Sequence, residues 1–253
     1  MSDLTTTPTP NVPDLPFQID SNDVSLGGKT TIRDISIPMV YILQSMSPQV
    51  QEGPKYIKDA KAGDIYLSVA EKIFPGKEGL TFVPAYFERK YVEWLPRDKG
   101  GGFVASYDPD NSAVKSAKPN EKGKLILANG HELTETAYHY IMVLTDGIWM
   151  QAIMPLKSTA LKFSRRLGSL IQSAVIPGTD KQAPRFLFTY NMKTIRESNE
   201  LGSWSSPNFE RGTVVTEQLY KKSKEFALIA AQGILFVREE EKTEGDSSDD
   251  VPF

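Results

Sequence analysis

Runs rich in apolar and β-branched residues dominate the chain from about residue 30 onward and predict strands. Residues 30–37 and 39–43 form the first two runs. Pro38 interrupts them, which predicts an edge position or a bend. Residues 64–69 and 80–94 read as further strands, the second long enough to bend at Pro84. Residues 138–144 and 148–154 flank Thr145-Asp146-Gly147, where Asp-Gly supplies the positive-φ residues of a tight turn, so they predict a hairpin. Residues 185–194 and 234–238 complete the set.

Two segments instead carry apolar residues at spacings of three and four. Over residues 158–174, Ala160, Phe163, Leu167, Leu170 and Ala174 make one helical face, and Lys162, Arg165, Arg166 and Ser169 make another; Pro177-Gly178 follows the end. Over residues 217–232, Leu219, Phe226 and Ala230 share a side, with Thr216 as N-cap and Gly233 as stop. Strands with two late helices predict a β-rich α+β domain with antiparallel strands. Between Pro96 and Gly130 the composition shifts to Lys, Gly, Asp, Ser, Asn and Pro, which predicts a long loop or an insertion. Residues 1–24 are poor in apolar side chains and predict a flexible acidic arm. Residues 239–253 predict a disordered acidic tail, which leaves 25–238 as one domain.

Composition narrows the chemistry. With 253 residues, 40% of them hydrophobic, a sizeable core is expected. No apolar run approaches the roughly 18 residues of a membrane helix and the start lacks a signal-peptide pattern, so a cytoplasmic protein is expected. The absence of cysteine removes disulfides, thiolate metal sites and cysteine nucleophiles. The net charge of −3 hides an uneven distribution: residues 1–24 carry −4 and residues 239–253 carry −6, which leaves +7 on the body. A basic body with acidic ends suits a protein that binds an anion and carries its own competitor for it.

Enzymatic constellations fare badly. Gly27-Gly28-Lys29-Thr30 ends like a phosphate-binding loop, but Asp23 occupies the position of the required first glycine. Asp108-Pro-Asp110-Asn-Ser112 opens like a calcium loop, yet Ala113 replaces the turn glycine and Pro119 the terminal Glu, so a turn is expected. His131 and His139 have neither metal-ligand spacing nor a nucleophile-elbow serine to serve, and both read as structural or surface residues. No enzyme activity, metal or cofactor is expected.

Interleaved aromatic and basic residues point elsewhere. A single strand needs cations along its phosphates and flat apolar surfaces for its unpaired bases. Tyr86, Arg89, Lys90, Tyr91 and Trp94, followed by Arg97 and Lys99, are the densest such stretch. Arg185, Phe186, Phe188 and Tyr190, followed by Lys193 and Arg196, form a second, with the aromatics on one strand face and Arg185 and Lys193 on the other. Trp204, Phe209 and Arg211 form a third, in a Gly/Ser/Pro-rich stretch read as a loop that exposes Trp204. Period-two aromatics belong to cores more often than to stacking platforms, so Phe186 and Phe188 are expected to be buried. Lys162, Arg165 and Arg166 are a candidate phosphate-facing helix side.

The chain closes on Asp249-Asp250-Val251-Pro252-Phe253: two acids, a stiffened backbone and an apolar anchor beside a carboxylate. This tip resembles that of bacterial single-stranded DNA-binding proteins, which end in acids followed by Ile-Pro-Phe, and is similar to the acidic, Phe-terminated tails of phage counterparts. The body is unlike the bacterial family in length and linker. Its strand-rich centre and the 199–212 stretch look more like a bacteriophage-encoded single-stranded DNA-binding protein. The resemblance implies partner docking through Asp249, Asp250, Val251, Pro252 and Phe253, and competition between tail and DNA for a basic groove. It also implies an OB-like barrel as the leading fold, with an open twisted antiparallel sheet as the alternative.

The resulting expectation is a protein of the host cytoplasm that binds single-stranded DNA with little sequence preference in phage replication or recombination. Its tip would recruit replication, recombination or transcription proteins; no membrane is involved, and a homo-oligomer is compatible with the reading. The alternatives are a single-strand-binding cofactor of a phage RNA polymerase and a virion or scaffolding protein.

Overall fold

The computed structural model describes Gly28, residues 35–200 and residues 202–233. The predicted arm 1–24, most of the 30–37 run, the 234–238 run and the acidic segment 239–253 lie outside the described residues. Eleven strands are formed among the described residues: β1 (Val40–Ile42), β2 (Ile65–Leu67), β3 (Lys72–Phe74), β4 (Leu80–Trp94), β5 (Phe103–Tyr107), β6 (Lys118–Pro119), β7 (Leu125–Ile126), β8 (Glu132–Thr145), β9 (Ile148–Lys157), β10 (Phe188–Asn199) and β11 (Gly202–Val214). Three helices accompany them: α1 (Ser112–Ser116), α2 (Leu161–Gln172) and α3 (Glu217–Ala231).

The two longest strands, β4 and β8, pair antiparallel from Phe82↔Val143 to Trp94↔Glu132 and form the spine. At one end of this ribbon the order is β11-β10-β4-β8-β9. At the other, β5 flanks β4, and β7 with β6 flanks β8. All ladders are antiparallel, and the sheet curls into a half-barrel compatible with the OB-like expectation. The small sheet β1-β2-β3 packs against the core of the curl. Met39 makes a parallel bridge to Ile153 of β9, and the Gln44 side chain bonds the backbone of Ser205 on β11.

The expected bend at Pro84 is a β-bulge. Pro84 opposes Ile141 and Tyr86 opposes Tyr140, so Ala85 is the extra residue. The insertion reverses the phase of β4. Leu80 and Phe82 point into the curl before the bulge, as does Phe87 after it, while Tyr86, Val92 and Trp94 point to the outer face. One strand therefore feeds both cores, which explains why its apolar residues do not keep strict alternation.

Inside the curl, Phe82, Ile141, Val143, Met154, Tyr190, Met192 and Phe209 pack with Val40, Ile65 and Leu67 of the small sheet. Phe163 and Leu167 of α2, from the face predicted by helical spacing, join them, as does Ile171, which lay outside that predicted set. On the outer face, Leu219, Phe226 and Ala230 of α3 pack against Val83, Val92, Tyr140 and Met142. Thr216 caps α3 by accepting from the Leu219 N–H at 3.3 Å, as predicted. Burial on both faces makes residues 137–144 of β8 an apolar run broken only by His139.

The small sheet is tied to β10 at a close crossing. The Thr194 N–H donates to the Gly76 carbonyl at 2.9 Å and the Thr194 hydroxyl donates to the Gly63 carbonyl at 2.6 Å. A Cβ on Gly76 would lie 2.0 Å from the Gly63 oxygen and 2.1 Å from Thr194 Oγ1, so the crossing admits only glycine.

The structure corrects several expectations. The 96–130 segment, expected as a long loop or an insertion, is not a plain loop and contains a 3-10 turn (Arg97–Lys99), β5, α1, β6 and β7. The 199–212 stretch is not a loop either, because all of β11 pairs with β10 despite its Gly, Ser and Pro content. Ladder bonding to β10 overrode weak local strand propensity there. Asp108 to Ser112 is the expected turn, with Asn111 capping α1. Asp146 (φ 49°) and Gly147 (φ 77°) form the expected two-residue hairpin turn.

Candidate nucleic-acid interface

The predicted aromatic platforms divide by burial. Trp94 and Tyr190 are 2% and 1% exposed, so neither offers a face to a base. The bulge turns Trp94 outward under Phe103 of β5, and Tyr190 points into the curl against Phe82. Tyr86 is half-buried against Tyr140, and Tyr91 is half-buried opposite Glu135 and Tyr107. Trp204 is half-buried on β11 rather than exposed on a loop, and its Nε1–H donates to Glu197 at 3.2 Å. Phe186 is half-buried and meets Tyr220 of α3 edge-on; Phe188 is half-buried against the inner core. Because the chain turns between them, these two side chains lie on opposite faces rather than on one.

The cations divide by partner. Arg89 pairs with Glu135 at 3.2 Å, Lys90 with Asp108 at 2.7 Å and Glu88 at 3.4 Å, Lys162 with Glu197 at 2.7 Å, and Lys193 with Glu210 at 3.2 Å. These charges are already neutralised locally. Arg165 and Arg166 on the outer side of α2 are exposed, as is Lys99 in its turn, and none has an ion-pair partner among the described residues. Arg97 heads that same turn. Arg196 donates to the Ser203 hydroxyl at 2.6 Å without a carboxylate.

Three sequence-selected residues do converge. Arg185 stands on the turn that leads into β10, and Arg211 on β11 is the cross-strand neighbour of Tyr190. Burial raises the Tyr190 hydroxyl pKa, and the charges of Arg211 and Arg185 oppose that rise. Arg185 lies over the Phe87 ring at 5.6 Å and Arg211 over Phe188 at 5.4 Å. His139, wholly buried, also rests on Phe87 with ring centroids 5.0 Å apart, and its Nε2 meets the Ser164 hydroxyl at 2.8 Å. Burial, with the Arg185 charge in support, holds His139 down to about 3, so the ring is neutral.

One polar cluster escaped the sequence reading. The buried Glu93 carboxylate accepts from the Tyr107 hydroxyl at 2.5 Å and the Asn129 amide at 3.0 Å, and meets His131 Nδ1 at 2.5 Å. Burial pushes its pKa up, but these hydrogen bonds outweigh that push and hold it below the usual carboxylate range. The cluster ties β5 and the β7–β8 connection to β4, so its role is to order the 96–130 segment. Among the described residues no group of three or more His, Asp or Glu side chains is arranged to hold a metal ion.

A family model, the Pam3 phage gp34-like protein, matches residues 12–234. The chain belongs to that family. It is therefore a phage protein, and the match spans every described residue while stopping short of the acidic segment 239–253. No curated protein and no solved structure matches. Among the described residues, no helix of this phage protein is long and apolar enough to cross a membrane.

Proposed function

We propose that this phage protein binds single-stranded DNA with little sequence preference during phage DNA replication or recombination. The observation that carries the reading is the charge division: a body of +7 joined to an acidic segment of −6 that includes Asp-Asp-Val-Pro-Phe. The curled antiparallel half-barrel is an architecture suited to a strand-binding surface. Arg165, Arg166, Arg185 and Arg211 support it as cations with no carboxylate partner among the described residues. With Trp94 and Tyr190 in the cores, stacking falls to the partly exposed Tyr86, Tyr91 and Trp204, and phosphate neutralisation supplies most of the affinity. The acidic segment competes with DNA for these cations, and Val251, Pro252 and Phe253 dock replication or recombination partners in the host cytoplasm.

A gel shift with labelled oligo-dT tests the reading. A retarded complex that dissolves as salt rises is expected. No complex at low salt would remove the function and favour a virion or scaffolding role.

A further inference from the structure

Arg185 presents an uncompensated charge. Its Nη1 is buried and has no hydrogen-bond partner, and no carboxylate pairs with it among the described residues. A guanidinium cannot shed its proton, so a buried one calls for a counter-charge. His139 supplies an independent observation. It is 1% exposed, and its Nδ1 also lacks a partner, although Nε2 is satisfied by Ser164. Both orphaned nitrogens belong to side chains packed on the same Phe87 ring. With Nε2 accepting from the Ser164 hydroxyl, Nδ1 carries the proton and is a donor without an acceptor. Arg211, exposed and opposite Tyr190 in register, adds a second positive charge on the solvent side.

We propose that the turn into β10 carries a phosphate-binding site in which Arg185 is the principal ligand and Arg211 a flanking donor, with the buried His139, which shares the Phe87 ring with Arg185, as its inner neighbour. Resting on the single-strand reading above, its occupant is one phosphodiester of the bound strand. A phosphate answers both arginines: it neutralises the half-buried Arg185 guanidinium and meets the exposed Arg211. The flanking Phe87 and Phe188 faces hold the guanidiniums in place, so little side-chain freedom is lost on binding. The site also explains why Arg185 and Arg211 lack the acidic partners that Lys162 and Lys193 have.

Two arms test it on the full chain. In the first, inorganic phosphate is titrated while the His139 imidazole nitrogens are followed by NMR. A saturable shift at Nδ1 is expected in the wild type and in Arg211→Gln, and none in Arg185→Gln. In the second, binding of labelled oligo-dT is measured against salt. Arg185→Gln is expected to weaken it about tenfold and flatten the log-log salt slope by about 0.7, the share of one single-strand phosphate contact. Arg185→Lys, which keeps the charge, is expected to recover part of the affinity, and Arg211→Gln, on the surface, to weaken binding less than Arg185→Gln while leaving the melting temperature unchanged. Oligo-dT binding with wild-type affinity and slope in folded Arg185→Gln and Arg211→Gln overturns the site and leaves the single-strand reading intact. Failure of the wild type to bind oligo-dT overturns that reading instead, and a saturable phosphate shift then keeps the site for a free phosphate. An unmoved His139 in the wild type at saturating phosphate overturns the site in either case.

Discussion

Replacing Glu93 by Gln isolates the polar cluster that fastens the 96–130 segment to the sheet. Oε1 meets Asn129 at 3.0 Å and His131 at 2.5 Å, and Oε2 accepts from Tyr107 at 2.5 Å. Glutamine keeps the shape and one acceptor. Its least costly orientation sets the amide nitrogen at the Oε2 position, where the Tyr107 hydroxyl can rotate to accept. What is lost is the charge assistance of three bonds to a carboxylate whose side chain is 4% exposed. Hydrogen bonds to charged groups contribute about 1.5–3 kcal/mol, and neutral ones about half that, so weakening three of them is expected to cost roughly 2–4 kcal/mol at pH 7. The pH dependence has a definite sign. A carboxylate whose folded pKa lies below its ordinary value of 4.5 stabilises the fold above that value and ceases to do so as pH falls through the folded pKa. Urea unfolding of both proteins from pH 7 down to pH 3 measures the gap between them. It should be widest at neutral pH and narrow in the acid range. A gap that stays constant with pH, or a variant as stable as the wild type, refutes the charged-acceptor account.

Other consequences concern the core and the surface. Phe226→Ala removes a fully buried ring that meets Tyr140 edge-on at 6.1 Å, and calorimetry should show a loss of about 3–5 kcal/mol. Gly76→Ala drives a methyl into the Gly63 carbonyl and Thr194 hydroxyl, so the midpoint in denaturant should fall by an amount worth about 1–3 kcal/mol. Arg165→Gln with Arg166→Gln should leave the melting temperature unchanged and reduce the salt slope of oligo-dT binding by about 0.7 per lost contact.

Much of the fold was legible because the signals were local and redundant. The Asp146-Gly147 turn, the helical faces of α2 and α3 and the Thr216 cap each rest on a few neighbouring residues whose geometry admits one solution. The bend at Pro84 was legible as a break; that it reverses which face each side chain takes was not. β11 was hidden because Gly202, Ser203, Ser205 and Pro207 are poor strand formers held in place by β10. Of the candidate interface, the basic face of α2 followed from spacing. The pairing of Lys90, Lys162 and Lys193 with carboxylates distant in sequence did not, since a one-dimensional charge count cannot separate a satisfied lysine from an unsatisfied arginine. The Glu93 cluster joins residues up to 38 positions apart and left no local signature.

The central claim is that an acidic segment and a single strand compete for one set of cations. The most direct measurement is oligo-dT affinity by fluorescence anisotropy at low and moderate salt, for the full chain and for a chain lacking residues 239–253. Binding to both, tighter without the segment and with the difference shrinking as salt rises, is the predicted result. Equal affinity with and without the segment contradicts the competition, and no binding by either contradicts the function.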